Sequence, residues 1–104
     1  MKSTEYLDRV KAVRGITSDY GLAKALDISK QAVSRYYKTG GGFDDDIALK
    51  VAEILGIHPG IVMIDMHKER AQTESTRALW QEIFKGFLTL LPHAKFVERR
   101  LLPR

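Results

Sequence analysis

The stretch 18-SDYGLAKALDISKQAVSRYYKTG-40 predicts two helices that cross closely. Thr17 or Ser18 can cap the first helix and Ser29 the second, because a hydroxyl oxygen accepts hydrogen bonds from first-turn N–H groups. Ala23 is small enough for a close crossing, and Asp27 in the turn tolerates left-handed backbone. Five apolar residues fall at positions that face the other helix or the helix before it: Leu22, Leu26, Ile28, Val33 and Tyr36.

The opposite face of the second helix is polar, which a helix pair with a purely structural role would not need. Long donors and small hydroxyls reach base edges and phosphates: Gln31 suits adenine, while Arg35 or Lys30 suits guanine. The alternative is an ordinary solvated helix face. The candidate DNA-binding residues are Ser29, Lys30, Gln31, Ser34, Arg35 and Lys38.

Apolar spacing predicts helices on both sides of this pair and no strand. A first helix is expected over residues 4–14, with Tyr6, Val10 and Val13 facing inward and Gly15 ending it. The glycine run 40–42 should end the second helix of the pair.

Two further helices are expected after the glycine run. The carboxylates of residues 44–46 suit a helix N-terminus because they favour the positive end of the helix dipole. Pro59 suits the first turn of the following helix. The buried stripe of the first of these helices should be Ile47, Val51, Ile54 and Leu55, and Gly56 should end it. The second helix carries Ile61, Val62, Ile64 and Met66.

A sixth helix is expected from about residue 74 to residue 91, and the pattern leaves open whether it continues the fifth. It carries more apolar side chains than a small core can cover, so a dimer interface is the preferred interpretation. Packing onto its own domain is one alternative. Binding to a membrane surface, with help from the basic tail 93-HAKFVERRLLPR-104, is another. The predicted dimerisation residues are Trp80, Ile83, Phe84, Phe87, Leu88 and Leu91.

Composition and charge limit the classes of function. The chain has no cysteine, which excludes disulfides and thiolate zinc sites. No secretory signal and no apolar run of about 18 residues is visible, so a cytoplasmic protein is expected. Residues 1–42 carry eight Lys or Arg and four Asp or Glu, whereas residues 43–73 carry three and six. A basic first third suits a polyanionic partner.

No pattern typical of an enzyme or a cofactor site stands out. The glycine run 40–42 lacks the Lys-Ser/Thr of a phosphate-binding loop. The consecutive carboxylates 44–46 diverge around a helix, and His58, His67 and His93 lack metal-ligand spacing. We therefore predict no catalytic residue, no cofactor and no metal site.

Residues 18–56 resemble the DNA-binding domain of the lambda-repressor and Cro superfamily, the xenobiotic-response-element type of regulator. LAKALDISKQAVSRYYKTG resembles its helix 2–turn–helix 3 signature, DDDIALKVAEILGI its fourth helix and HPGIVMID its fifth. The resemblance implies an all-α fold: a five-helix DNA-binding domain over residues 1–72, then an amphipathic helix and basic tail over 73–104. Asp19 departs from the usual Gln, which contacts phosphate; Tyr20 or a main-chain N–H group could substitute.

The residues and the resemblance together predict a sequence-specific regulator of double-stranded DNA, of the phage or prophage repressor type. One helix makes only two or three base contacts, too few to specify an operator, so a homodimer on a palindromic site is expected. Two alternatives remain open. One is an autoregulating antitoxin whose C-terminal helix holds a toxin. The other is a protein-interaction adaptor that reuses the fold without touching DNA.

Overall fold

Six α-helices make up residues 1–91, the part of the chain that the computed structural model describes. They are α1 (Ser3–Arg14), α2 (Asp19–Leu26), α3 (Lys30–Thr39), α4 (Asp45–Leu55), α5 (Pro59–Arg70) and α6 (Glu74–Leu90). These residues contain no strand, so the prediction of an all-α protein is confirmed. The basic tail and His93 lie outside the described residues.

Three aromatic rings meet at the centre of the core. Phe43, in the linker after α3, is fully buried and lies edge-on to Tyr6 and Tyr36, with ring centroids 6.4 and 6.0 Å apart. The cluster therefore holds α1, α3 and the linker at one point. The aliphatic residues of the core are Leu7, Val10, Leu22, Ala23, Leu26, Val33, Ile47, Ala48, Val51, Ala52, Ile57, Ile61, Val62 and Met66.

The helices α2, α3 and α4 begin at the caps that the sequence signals indicate. Ser18, Ser29 and Asp44 each accept a hydrogen bond from the backbone N–H three residues further on, at 3.0, 3.0 and 2.9 Å. Ser18 rather than Thr17 is thus the cap of α2. Asp27 ends α2 in the left-handed region, with φ 55° and ψ 49°, as expected.

Some predicted inward residues are exposed or only half-buried. Val13 is 58% exposed, so its assignment to the core is wrong. The buried side of α1 ends at Val10, one turn before the end of the helix, and the last turn meets solvent. Ile54 and Leu55, in the last turn of α4, are only half-buried and pack against the edge of the core.

The fifth and sixth helices are separate. The chain extends at Ala71 and Thr73, Thr73 caps α6, and the Arg77 guanidinium donates to the Ala71 carbonyl at 3.1 Å across the break. From this point α6 folds back to pack on α5, which in turn packs on α4. No helix within residues 1–91 is both long enough and apolar enough to cross a membrane.

Candidate nucleic-acid interface

The packing of α3 separates its two faces. Val33 and Tyr36 are buried, at 0% and 7% exposure, against the core. The other face points to solvent, and the six candidate residues lie along it. Ser29, Lys30, Gln31, Arg35 and Lys38 are exposed, and Ser34 is half-buried.

Tight packing against α2 fixes the direction of this face. Ala23, 4% exposed, lies between the two helices, and its carbonyl accepts a hydrogen bond from the Ile28 N–H at 3.0 Å across the turn. The Lys50 ammonium donates to the Leu26 carbonyl at 3.0 Å and so ties the end of α2 to α4. With both ends of the turn held, rotation of α3 would disrupt the core.

The exposed face of α3 is electropositive. Within residues 1–91, no ion pair joins Lys30, Arg35 or Lys38 to a carboxylate. The Arg35 guanidinium lies 5.4 Å from the ring centroid of Tyr36, so an aromatic face supports it and leaves its hydrogen-bond donors available. Such a surface attracts an anion through charges that the protein does not itself neutralise.

The exposed side of α2 carries two further donors, Tyr20 in its first turn and Lys24 in its last. The Asp19 carboxylate is paired with the Lys11 ammonium at 3.1 Å, which offsets its repulsion of a nearby anion. Tyr20 is 59% exposed, and the Lys24 ammonium lies 5.3 Å from its ring centroid. Tyr20 was expected as a phosphate contact, whereas Lys24 was missed, although the i, i+4 spacing places it on the same side of α2.

The glycine linker after α3 is held by α5. The Glu69 carboxylate accepts hydrogen bonds from the Gly42 N–H at 2.9 Å and from the Ser3 N–H and hydroxyl at 2.5 and 2.7 Å. The Arg70 guanidinium donates to the Phe43 carbonyl at 2.8 Å. The Gly42 N–H is therefore already bonded to a carboxylate. Together these bonds attach the linker after α3 to α5.

Comparison with known proteins gives the chain a family. The protein named "Uncharacterized protein Gp-c", of Pseudoalteromonas phage PM2, is 36% identical over 85 residues, which cover 77% of this chain and 91% of Gp-c. The chain belongs to the Gp-c family. No protein-family model and no solved structure matches it.

Two tyrosine hydroxyls join helices of this Gp-c family member: that of Tyr37 joins α3 to α1, and that of Tyr6 joins α1 to α5. The Tyr37 hydroxyl donates to the Asp8 carboxylate at 2.7 Å, and the Tyr6 hydroxyl donates to Asp65 at 2.5 Å. Burial, followed by the hydrogen bond to Asp8, raises the pKa of Tyr37 above its usual range. Burial, followed by the charge of Asp65, raises the pKa of Tyr6 far above it. Both phenols therefore remain donors through neutral pH.

In this Gp-c family member α6 packs on α5 through two aromatic contacts. Trp80 stacks on His67, with centroids 4.7 Å apart and planes 21° apart. Phe87 meets His58 edge-on at 5.3 Å and lies against Gly60, where an added Cβ would stand 2.5 Å from the ring. The α6 helix thus folds back on its own chain, the alternative that the sequence had left open.

The six predicted dimerisation residues consequently differ in how much of each side chain is exposed. Ile83 is 43% exposed, whereas the other five are half-buried within the chain: Trp80, Phe84, Phe87, Leu88 and Leu91. The sequence pattern placed Leu90 in the apolar stripe of α6 but not among these six residues, and Leu79 was missed; they are 81% and 55% exposed. Their spacing from Ile83 is that of a second apolar row, which is the signal that could have found them.

The other candidate groups have structural contacts. Asp44 caps α4, and the His58 Nδ1 atom accepts a hydrogen bond from the Gly60 N–H at 2.9 Å. His67 Nε2 lies 3.6 Å from the Asp45 carboxylate. Among residues 1–91 of the Gp-c family chain, no three histidine or carboxylate side chains group closely enough to hold a metal ion.

Proposed function

We propose that this Gp-c family member is a sequence-specific, double-stranded DNA-binding transcriptional regulator of the lambda-repressor and Cro type. The exposed polar row of α3, set opposite the buried Val33 and Tyr36, carries the proposal. A helix of this length and width fits the major groove, where each base pair presents a distinct pattern of donors and acceptors.

The side chains of the row would divide the work of recognition. Gln31 can pair with the one acceptor and the one donor that adenine presents in the major groove. Arg35 can pair with the two acceptors of guanine. Each such bidentate contact discriminates between bases by about 1–3 kcal/mol. Lys30 and Lys38, at the two ends of α3, are suited to the phosphates on either side.

Contacts from α2 would fix the helix in the groove. Ser29 at the head of α3, with Tyr20 and Lys24 on α2, offers donors to a phosphate backbone that runs past both helices. Contacts to phosphate carry no sequence information, but they set the register and orientation in which the base-reading side chains meet their targets.

Two copies would be needed to specify an operator, because α3 alone offers few base contacts. Half-sites on successive major grooves lie about 34–36 Å apart. The described part of the chain measures 36 × 30 × 24 Å, which is of the same order as this spacing. The phage origin of the relative supports a regulator of the phage type, which would repress by occluding the polymerase.

Selection of bound duplexes from a random library, followed by binding measurements on one half-site, tests the proposal. Wild type should enrich a defined sequence. Arg35→Ala should lower both the affinity and the preference for one base pair. Arg35→Lys keeps the charge but not the planar fork, so it should retain affinity while losing the preference.

The results also separate the roles of Arg35. Equal losses on every duplex for Arg35→Ala, with Arg35→Lys behaving as wild type, would make it a phosphate contact. Failure of the wild-type chain to enrich any sequence, at low salt as well as high, would reject the function and favour an adaptor that uses the fold without DNA.

A further inference from the structure

The α6 helix carries two apolar rows rather than one. The inner row, consisting of Trp80, Phe84, Phe87 and Leu91, is half-buried and faces α5. The outer row, consisting of Leu79, Ile83, Gly86 and Leu90, is spaced 4, 3 and 4 residues apart and is exposed. This spacing is the heptad spacing of helices that pair along a seam.

The outer row has large side chains at its ends and a gap near its middle. Leu79, Ile83 and Leu90 are 55%, 43% and 81% exposed, and a Cβ placed on Gly86 would have no atom within 4 Å. Three large apolar groups in solvent on one helix face are costly, since full burial of each is worth about 1.5–3 kcal/mol. The bare backbone at Gly86 allows another helix to come close.

We propose that the outer row binds the outer row of a second copy of this chain, with the two α6 helices antiparallel. The inference rests on the proposed function, because it supplies the homodimer that the operator requires, and it names the surface and the direction of pairing. The inner row stays with α5 in both copies.

The outer row is complementary to itself in this arrangement. When the pair is centred between residues 84 and 85, Leu79 lies against Leu90 of the second copy, and Ile83 lies against Gly86. Each bulky Ile83 then enters the space that the missing side chain leaves. A parallel pair would instead place Gly86 on Gly86, which leaves a void, and Ile83 on Ile83, which holds the backbones apart.

Charge supports the same direction. Glu82 and Lys85 are exposed and flank the outer row on one side. In the antiparallel pair, Glu82 of one copy lies within about 3 Å, along the helix axis, of the level of Lys85 in the other, since each residue rises about 1.5 Å. The two-fold axis repeats the contact, so two opposite-charge pairs border the seam.

The strength of the contact follows from its length. The outer row runs about 17 Å along α6, at about 1.5 Å per residue. A seam of this length buries less than the roughly 800 Å² per partner of a standard interface, so a dissociation constant on the order of micromolar is expected. Binding to two half-sites on one duplex would then hold the copies together by raising their effective concentration.

Single cysteines test the direction of pairing, because the sequence contains none. A mixture of Leu79→Cys and Leu90→Cys chains should form a disulfide-linked dimer under mild oxidation, whereas each variant alone should not. Two copies of residue 79 would be about 17 Å apart in the antiparallel pair, too far to bridge. Cross-linking of each variant alone, without preference for the mixture, would overturn the antiparallel arrangement.

Substitutions test the seam by sedimentation or light scattering of the full chain. Gly86→Ile should weaken the dimer at least tenfold by filling the space for Ile83, although it makes α6 more apolar. Glu82→Lys and Lys85→Glu should each weaken it, and the double exchange should restore it. Leu49→Ser removes a comparably exposed leucine from α4, 46% exposed, and should have no effect.

The outcomes distinguish this inference from the DNA-binding proposal. A monomeric wild type at high micromolar concentration, or a dimer that Gly86→Ile strengthens, would overturn the seam. Specific binding of the same monomer to a single half-site would leave the DNA proposal intact. A dimer that forms the expected cross-link but enriches no duplex would support the seam and overturn the DNA proposal. Helical circular dichroism of each variant confirms that it folds.

Discussion

The Glu69 carboxylate on α5 accepts a hydrogen bond from the Gly42 N–H, 2.9 Å away in the linker after α3. The same carboxylate accepts two hydrogen bonds from the buried Ser3 at the start of α1. One side chain thus joins three segments that are far apart in sequence, and it holds the linker that follows α3.

Replacement of Glu69 by Ala should destabilise the fold, because it leaves the buried Ser3 donors and the Gly42 N–H without an acceptor. Each such group costs about 1–3 kcal/mol. We expect the free energy of unfolding in urea to fall by at least about 2 kcal/mol. Glu53→Ala, at an exposed site on α4, should change it by less than about 0.5 kcal/mol. Equal effects of the two variants would show that the Glu69 contacts are dispensable.

The close crossing of α2 and α3 should make Ala23 intolerant of a larger side chain. Ala23→Leu inserts three carbons at a site that is 4% exposed, so an unfolding free energy lower by about 1–3 kcal/mol is expected. Ala25→Leu makes the same change on the exposed side of α2 and should be almost neutral. If Ala23→Leu proved as stable as Ala25→Leu, the crossing would not be tight.

The raised pKa values of Tyr6 and Tyr37 predict a loss of stability at alkaline pH. In the unfolded chain a tyrosine loses its proton near pH 10, whereas the folded chain retains it to higher pH. The contribution of Tyr6 and Tyr37 to the free energy of unfolding is therefore fully present below about pH 10 and declines as the pH rises further.

Urea unfolding of Tyr37→Phe at increasing pH measures this effect. The variant should lose stability less steeply above about pH 10 than wild type, because the contribution of Tyr37 is gone. Tyr20→Phe removes the same hydroxyl at a site 59% exposed and is the matched control. A Tyr37→Phe curve parallel to that of wild type would contradict the coupling between Tyr37 and Asp8.

Lys24 should act as a contact to phosphate. Lys24→Ala should weaken binding to all duplexes by a similar factor, and it should reduce the slope of log affinity against log salt by about 1. Lys85→Ala on α6 removes the same charge and should leave binding to a single half-site unchanged. A loss restricted to the selected sequence would instead place Lys24 at a base edge.

Local signals were sufficient to predict most of the fold. The caps Ser18, Ser29 and Asp44, and the left-handed Asp27, are decided by interactions within a few residues, so their types and spacing reveal them. The inward face of the α2–α3 pair follows from apolar spacing in the same way. Val13 was misplaced because periodicity gives a direction on α1 but not how far along the helix the core extends.

The remaining features depend on contacts between distant segments. The neutralisation of Asp19 by Lys11, and the Glu69 contacts to Ser3 and Gly42, have no local pattern. Both apolar rows of α6 fit an amphipathic helix. The row that faces α5 is the one whose aromatic rings contact His58 and His67. The periodicity of α6 alone does not show which of the two rows makes these contacts.

The most direct measurement of the central claim, that the exposed row of α3 reads DNA, compares two glutamine variants on one selected half-site and its scrambled counterpart. Gln31 and Gln72 are both exposed, but only Gln31 lies on α3. Gln31→Ala should reduce the ratio of affinities for the two duplexes by about 5- to 150-fold, the equivalent of 1–3 kcal/mol, and Gln72→Ala should preserve it. Equal ratios for Gln31→Ala, Gln72→Ala and wild type, together with the same result for Arg35→Ala, would contradict the account.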